Sequence, residues 1–402
     1  MDEGLGVQQL EEKLLVQKIE RGIVIDHIAP CKGFLIYNIF NPDPDSTAVV
    51  AKNVPSKKYG RKDLVKIEGE YITSSLVNII GLISPTATIN IIAESKVKSK
   101  QRVKPPEEVV GVIDCRNPSC MSKGPGSRFS VQLDQKLELS SLRCTQCGYT
   151  FYYEDAVKEI THKASSGILV SRSRVQRELL TLLINKGGLR YHQEFKLKSG
   201  RVSPYFINVG ALNDGESLAK LRWVFASFAA MLLKDGFIED FEYVFGPAYK
   251  GINIASLTCE GLREYYGMNK RFMYDRKEAK TYGDLSMDSS IVGSEYFVEG
   301  GRILIVDDTI TTGKTKISSI ERLESLGKHK VVAVIVAVDR QEMSDEEGLS
   351  AVEFLERKLG VKVFSILPAS TIYDMIKKEL SGEEKDMWVR YYDRYGVVKL
   401  SK

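Results

Sequence analysis

The strongest constraint on how this 402-residue chain can fold is a ten-residue run, Val306-Asp307-Asp308-Thr309-Ile310-Thr311-Thr312-Gly313-Lys314-Thr315. Ile303 to Val306, just before and into it, is an unbroken aliphatic stretch, the pattern of a parallel strand covered on both faces. Beyond it, Ile317, Ile320, Leu323 and Leu326 recur at helical spacing among Glu321, Arg322 and Glu324, until Gly327 supplies a stop. A strand feeding a helix through such a turn is one βα step of an α/β sheet.

The turn chemistry points to a sugar phosphate. Thr311 to Thr315 fall at a helix N-terminus on the carboxyl edge of a sheet, where unpaired N–H groups and the helix dipole favour a phosphate. Asp307 and Asp308 would repel that phosphate and instead suit ribose hydroxyls, which can donate to them. Gly313-Lys314-Thr315 matches the end of a nucleoside-triphosphate P-loop, but the first glycine of that pattern would fall on Asp308, which excludes it.

The run resembles the phosphoribosyl-pyrophosphate motif of type I phosphoribosyltransferases, and four further segments resemble orotate phosphoribosyltransferase. They are Phe195-Lys196-Leu197-Lys198-Ser199-Gly200-Arg201 leading into Ser203-Pro204-Tyr205-Phe206; Phe245-Gly246-Pro247-Ala248-Tyr249-Lys250-Gly251; Arg276-Lys277-Glu278-Ala279-Lys280; and Val338-Asp339-Arg340-Gln341-Glu342. All five fall in family order over residues 168–402. The resemblance implies a Mg²⁺-dependent glycosyl transfer from phosphoribosyl pyrophosphate to orotate, with catalytic roles for Lys280 and Asp308. It places Lys198, Tyr249 and Lys250 on the pyrophosphate, and Arg276, Lys277, Lys280 and Tyr282 on a loop that reaches across a homodimer interface. Asp307 and Asp308 fall on the ribose, and Thr309, Ile310, Thr311, Thr312, Gly313, Lys314 and Thr315 surround the 5′-phosphate. Phe206, Ile207, Thr311 and Arg340 fall on orotate, the arginine fork suiting a planar carboxylate. Two positions depart from the family pattern. Tyr282 stands where many relatives carry histidine, and a phenol is not cationic near neutral pH. Lys314 stands where a small or hydroxylated residue is usual, and adds charge beside the 5′-phosphate.

The N-terminal third has a different logic. Cys115 and Cys120 form C-x-x-x-x-C, and Cys144 and Cys147 form C-x-x-C, a spacing that lets four thiolates share one tetrahedral zinc. Four thiolates leave no open position, so such an ion is structural. Disulfides are the alternative; the acidic Met1-Asp2-Glu3 start with no apolar stretch after it favours a reducing, cytoplasmic setting. Cys31 and Cys259 stand alone and read as buried or bystander thiols.

Upstream, residues 22–28, 47–53, 63–68 and 88–93 read as strands and 33–40 and 73–80 as helices of an α+β domain. Arg21-Gly22 with Val24-Ile25-Asp26-His27-Ile28, Gly60-Arg61-Lys62-Asp63-Leu64 with Lys66-Ile67-Glu68, Pro85-Thr86-Ala87-Thr88-Ile89-Asn90 and the cysteine pattern resemble the regulatory chain of aspartate carbamoyltransferase. That implies an allosteric site for nucleotides such as CTP or ATP, with Asp26, His27, Lys62, Lys66, Asn90 and Lys100 as its residues. It also implies a zinc subdomain that docks on a separate carbamoyltransferase catalytic chain. His27 reads equally as a satisfied polar group at a strand end, and Ser95 replaces a frequent aromatic.

Fold class follows as multidomain: an α+β nucleotide domain over 13–104, a small β-rich four-cysteine domain over 105–155, and an α/β transferase domain with a mainly parallel sheet over 168–402. Pro105-Pro106 separates the first two, and the polar stretch Thr161 to Gly167 reads as the link to the third. The basic run Lys96 to Lys104 beside a zinc ribbon raises nucleic-acid binding, but a net charge of only +4 argues against it, and Phe151, Tyr152 and Tyr153 read as core. Val331 to Val338 is the longest aliphatic stretch and is too short to span a bilayer. The D-x-K-x-x-D signature of a fused decarboxylase is missing, since Asp275-Arg276-Lys277 runs on to Lys280. Three rivals remain: a sensor that keeps the phosphate cradle without transfer, transfer to another base, and an N-terminal scaffold that no longer binds nucleotides.

Overall fold

The computed structural model describes residues 19–40, 42, 46–69, 72, 74–121, 127–136, 138–165, 172–197, 199–276, 291–310, 314–343 and 348–401. Its first unit is a five-stranded antiparallel sheet in the order β2-β3-β1-β4-β5, built from β1 (Gly22–Ile28), β2 (Ala48–Ser56), β3 (Gly60–Glu68), β4 (Thr88–Ala93) and β5 (Lys96–Arg102), with helices α1 (Gly33–Phe40) and α2 (Ser74–Ile83). Alternation sets its two faces. Ile23 and Ile25 of β1, Val65 and Ile67 of β3 and Ile89 of β4 are buried in one cluster with Ile36 and Phe40 of α1 and Ile79 and Ile83 of α2. The intervening residues face the other way. Asp63 is fully buried and accepts the N–H of Gly33 at 2.9 Å, satisfying one of the first amides of α1. The basic run that suggested a nucleic-acid contact is the edge strand β5, exposed at all seven positions, where lysines discourage pairing with another sheet.

The cysteine region is a four-stranded antiparallel sheet, β6 (Glu108–Val110), β7 (Arg128–Leu133), β8 (Leu139–Cys144) and β9 (Thr150–Tyr152) in that order, followed by α3 (Tyr153–Ser165). Phe129 and Phe151 meet edge-to-face at 5.6 Å in its core. Tyr152, read as core with Phe151 and Tyr153, is 71% exposed because it sits one residue out of phase with Phe151 on β9. Residues 161–165, read as linker, continue α3: Ala156 and Ile160 are buried and carry the helix to Ser165. The apolar cluster of this region is continuous with that of the five-stranded sheet.

The rest of the described chain begins with α4 (Arg172–Asn185), followed by two short hairpin pairs: β10 (Leu189–Arg190) with β13 (Phe206–Ile207), and β11 (Phe195–Lys196) with β12 (Val202–Ser203). Then come α5 (Gly215–Lys234), β14 (Tyr243–Gly246), α6 (Lys250–Tyr266), β15 (Arg271–Asp275), β16 (Ile291–Val292), β17 (Gly301–Ile310), α7 (Lys314–Arg322), β18 (His329–Asp339), α8 (Ala351–Leu359), β19 (Val363–Pro368), α9 (Ala369–Ile376) and α10 (Gly382–Tyr395). One sheet runs β16-β15-β14-β17-β18-β19, parallel at every pairing except the antiparallel edge β15–β16. Both faces are covered: Leu304 and Val306 of β17 pack in a cluster with α5, α6, α9 and α10 residues, while Ile303 and Ile305 pack on the other side with Ile320 and Leu355. That is why the aliphatic runs are unbroken. β17 extends further than its aliphatic run, with Asp307 opposite Val336 and Ile310 opposite Asp339. Both acids are therefore residues of β17, with Asp307 paired to β18, and residues 311–313, which precede α7, lie outside the described residues.

Candidate active site and metal centre

The carboxyl ends of the parallel strands bring three of the quoted segments to one edge. After β14 the chain turns sharply into α6. A Cβ on Gly246 would lie 2.1 Å from the Gly251 carbonyl oxygen, so only glycine lets the strand end and helix start approach this closely. Lys250 opens α6, and its Nζ reaches Asp308 Oδ2 on the neighbouring strand β17 at 2.9 Å. Tyr249 beside it is 66% exposed. Asp307 and Asp308 are buried, and each carboxylate is oriented by the following amide: the Asp308 N–H donates to Asp307 Oδ1 at 2.8 Å, and the Thr309 N–H to Asp308 Oδ1 at 2.7 Å. Two fixed acceptors beside one cation suit a ligand that offers hydroxyl hydrogens next to a negative group.

Several expected residues lie outside this description. Lys198, Lys277, Lys280, Tyr282, Thr311, Thr312 and Gly313 are outside the described residues, as are the side chains of Lys314 and Thr315, whose backbone opens α7. Arg276 is exposed at the end of β15. Ile310 is a buried core residue, packed with Ile303 and Ile305 on the α7 face of the sheet.

Arg340 follows β18 and is buried to 7% exposure. Its Nε donates to Glu342 Oε1 at 2.7 Å, its Nη2 donates to Ser203 Oγ at 2.9 Å, and its guanidinium lies 4.2 Å from the centre of the Tyr205 ring. Burial opposes the charge; the Tyr205 ring and the Glu342 carboxylate more than offset it and hold the guanidinium protonated beyond an ordinary arginine. Glu342 also accepts from Arg201 at 3.2 Å and from the Tyr391 hydroxyl at 2.8 Å, and Tyr392 donates to the Arg340 carbonyl at 2.8 Å. Ser203 and Tyr205 bring the hairpin of Phe206 and Ile207 to this arginine. Phe206 stacks obliquely on Phe195 at 5.8 Å, with Arg190 over both rings. Asp339, immediately before the clamp, is pushed by burial up to about 6. Ser203 and Tyr205 lie within the quoted segments with no role assigned, because Arg340 is more than a hundred residues away; Glu342 is only two residues from Arg340, but Arg201 and Tyr391, which hold it in place, are distant in sequence.

The four paired cysteines converge. Their Sγ atoms all lie within 4.8 Å of one another, with Cys115 to Cys147 at 3.5 Å and Cys120 to Cys144 at 3.8 Å. Sulfurs at ~2.3 Å from one tetrahedral ion are ~3.8 Å apart, whereas a disulfide needs ~2.0 Å. The donor set thus fits a closed tetrahedral metal centre. Burial pushes the Cys115 thiol up to about 12, so its thiolate forms only with a cation beside it. Of the lone cysteines, Cys31 is exposed and Cys259 half-buried.

The proposed nucleotide residues share one sheet face. Lys66, Val24, Asn90 and Lys100 are successive cross-strand partners on β3, β1, β4 and β5. Asp26 lies two residues along β1 from Val24, so on the same face, and Lys62 reaches it at 2.7 Å. His27 departs from the row. Its φ of +58° places it at the irregularity in β1, where its ring meets Tyr59 edge-on at 5.6 Å and its Nδ1 lies 3.3 Å from Asp26 Oδ2.

Comparison with known proteins assigns these regions. A family model for the aspartate carbamoyltransferase regulatory chain, allosteric domain, matches residues 14–104, and one for that chain's metal binding domain matches residues 107–157. The orotate phosphoribosyltransferase of Colwellia psychrerythraea is 40% identical over 208 residues, 52% of this chain and 88% of that protein. That of Photobacterium profundum is 40% identical over 223 residues, 55% of this chain and 98% of that protein. The crystal structure of the Francisella tularensis orotate phosphoribosyltransferase aligns with 54% of this chain and 98% of its own, at 28% identity and a TM-score of 0.47. No described helix is long and apolar enough to cross a membrane. Nearly the whole length of its enzyme relatives is matched by about half of this polypeptide, and the chain belongs to the orotate phosphoribosyltransferase family, with the two domains of an aspartate carbamoyltransferase regulatory chain fused at its N-terminal side.

Proposed function

We propose that the chain transfers the 5-phosphoribosyl group of phosphoribosyl pyrophosphate to orotate, in pyrimidine synthesis, and that its first 155 residues bind a regulatory nucleotide and an aspartate carbamoyltransferase catalytic chain. The carrying observation is the Lys250–Asp308 pair at 2.9 Å, which sets the cation of one strand end against the acid of the next. The C1–O bond to pyrophosphate breaks as N1 of orotate bonds to C1 and loses its proton. Lys250 meets the charge growing on the departing pyrophosphate, and Asp307 and Asp308 hold the ribose hydroxyls. Removing one such stabiliser typically costs ~3 kcal/mol of barrier. Arg340, held in its cradle by Glu342 and Ser203, takes the orotate carboxylate, with Phe206 and Ile207 against the ring. The buried Arg340 cradle disfavours the sensor reading, since sensing the donor needs no base clamp.

Mg²⁺ would supply charge neutralisation on the pyrophosphate oxygens. The chain offers hard oxygen donors in Asp307 and Asp308, but three of those oxygens already accept protein hydrogens, so most ligands would come from the donor and water. In the four-cysteine centre we assign zinc, with a purely structural role. We assign residues 13–104 to the nucleotide domain, 105–155 to the zinc domain and 168–402 to the transferase domain, a homodimer in the cytoplasm.

Following orotate consumption by the purified chain with Mg²⁺ tests this. Turnover no higher than that of a Lys280→Ala control would leave the sensor reading, and competition between orotate and other bases separates the acceptor. Titrating CTP and ATP, with and without a carbamoyltransferase catalytic chain, tests the N-terminal half.

A further inference from the structure

Asp275 is the last residue of β15 and is 1% exposed, yet the transfer reading gives it no part. Its Oδ1 accepts the backbone N–H of Ala248 at 2.6 Å, and its Oδ2 pairs with Arg322 Nη1 at 2.7 Å. The same Nη1 donates to the Arg276 carbonyl at 3.0 Å. In the sheet, β14 lies between β15 and β17, so the turn that leaves β14 is flanked by the ends of both. On one flank Asp308 of β17 holds Lys250; on the other Asp275 of β15 holds Ala248, two residues earlier. Arg322 is the last residue of α7, the helix that follows the acidic strand, so its bond to Asp275 ties that helix into the same frame. Leaving a buried carboxylate without partners is costly, and here an amide and a guanidinium are among those that satisfy it.

We propose that Asp275 is a positioning residue for transfer: with Arg322 it fixes the Ala248–Lys250 turn against the acidic end of β17, so that Lys250 meets the departing pyrophosphate in register. The proposal rests on the donor-binding reading above. A displacement of about 1 Å at a remote support can cost on the order of a hundredfold in rate. The Asp275→Asn side chain still accepts from Ala248 but no longer pairs with Arg322.

The test is steady-state kinetics and calorimetric donor binding on the full chain carrying D275N, R322Q or both. D275N is expected to lower kcat/KM for phosphoribosyl pyrophosphate by about tenfold to a hundredfold, leave KM for orotate within twofold, and leave the melting temperature of the transferase transition nearly unchanged. R322Q, which keeps the Ala248 bond, is expected to show a smaller loss. Because the two residues act as one unit, D275N/R322Q should be no worse than D275N, giving a non-additive cycle. D275N within twofold of wild type, equal rises in both KM values, or strictly additive losses would overturn the proposal. Should D275N fail to fold, R322Q carries the same comparison, and an unchanged donor KM there would overturn it. Wild-type protein that transfers normally beside an unimpaired D275N overturns this proposal alone; wild-type protein that binds or transfers no donor overturns both.

Discussion

The two sheets of this molecule put chemistry in different places. The N-terminal sheet is antiparallel and packs its helical cluster on one face, so its second face carries Asp26, Lys62, Lys66, Asn90 and Lys100, of which Lys66 is itself buried. The C-terminal sheet is mainly parallel and covered on both faces, so no face is free and its polar groups gather at strand ends: Asp275, Asp307, Asp308 and Asp339. A one-faced sheet can offer a broad surface for a ligand, whereas a two-faced sheet offers only its edge, where helix N-termini add their amides. The two proposed sites are thus a face site and an edge site, with separate cores beneath them.

Metal removal should break the symmetry most. The four-cysteine centre and the five-stranded sheet share one apolar cluster, while the transferase core is built of two others. Structural zinc can be worth on the order of 10 kcal/mol to a small domain. Cys120→Ser, or a strong chelator, is therefore expected to abolish the N-terminal melting transition and nucleotide binding while orotidylate formation stays above about half; parallel loss of both activities would show that the cores are not independent. Next in size, Lys250→Ala should lower kcat/KM for transfer by roughly 10²–10³ and leave nucleotide affinity untouched. Activity assays and CTP titration on the same sample read both.

Changes on the second face are smaller. Lys66→Ala removes one cation from the row, and CTP affinity should fall about tenfold, as expected for a charge-assisted hydrogen bond, with transfer unaltered. Equal CTP affinity in wild type and variant would move the ligand off this face. The smallest effect concerns Asp339. Burial raises its pKa from the ordinary 3.8 to about 6, so between those values the folded chain holds a proton that the unfolded chain has released. Its contribution to stability is most favourable below pH 4 and is lost as pH rises to about 6. Asp339→Asn keeps the acceptor for the Gln341 N–H, made at 2.9 Å, and should flatten this slope, raising the melting temperature above pH 6 by about 2–4 °C. A calorimetric pH series that leaves the slope in place would assign it to another group.

Much of this organisation was legible in the residues themselves. The unbroken run through Val306, the β-branched Ile23-Val24-Ile25 and the cysteine spacings specify covered strand, strand and four-thiol cluster, because period and spacing are local properties of the chain. The helical extension of α3 through Ser165 was hidden by its polar composition, and the exposure of Tyr152 by a one-residue phase on a three-residue strand. The supports of the candidate site were not readable at all. Glu342, held by Arg201 and Tyr391 as well as by Arg340, Ser203 beside Arg340, and Asp275 between Ala248 and Arg322 are ordinary polar residues in sequence, and their significance comes largely from partners distant along the chain. Sequence by itself determined which groups could do chemistry, since charge, hydroxyl and thiol are carried by single residues. Only the tertiary structure decided which of them are held still, because a buried charge is oriented by whatever the fold packs against it, and that is settled across distances no local pattern records.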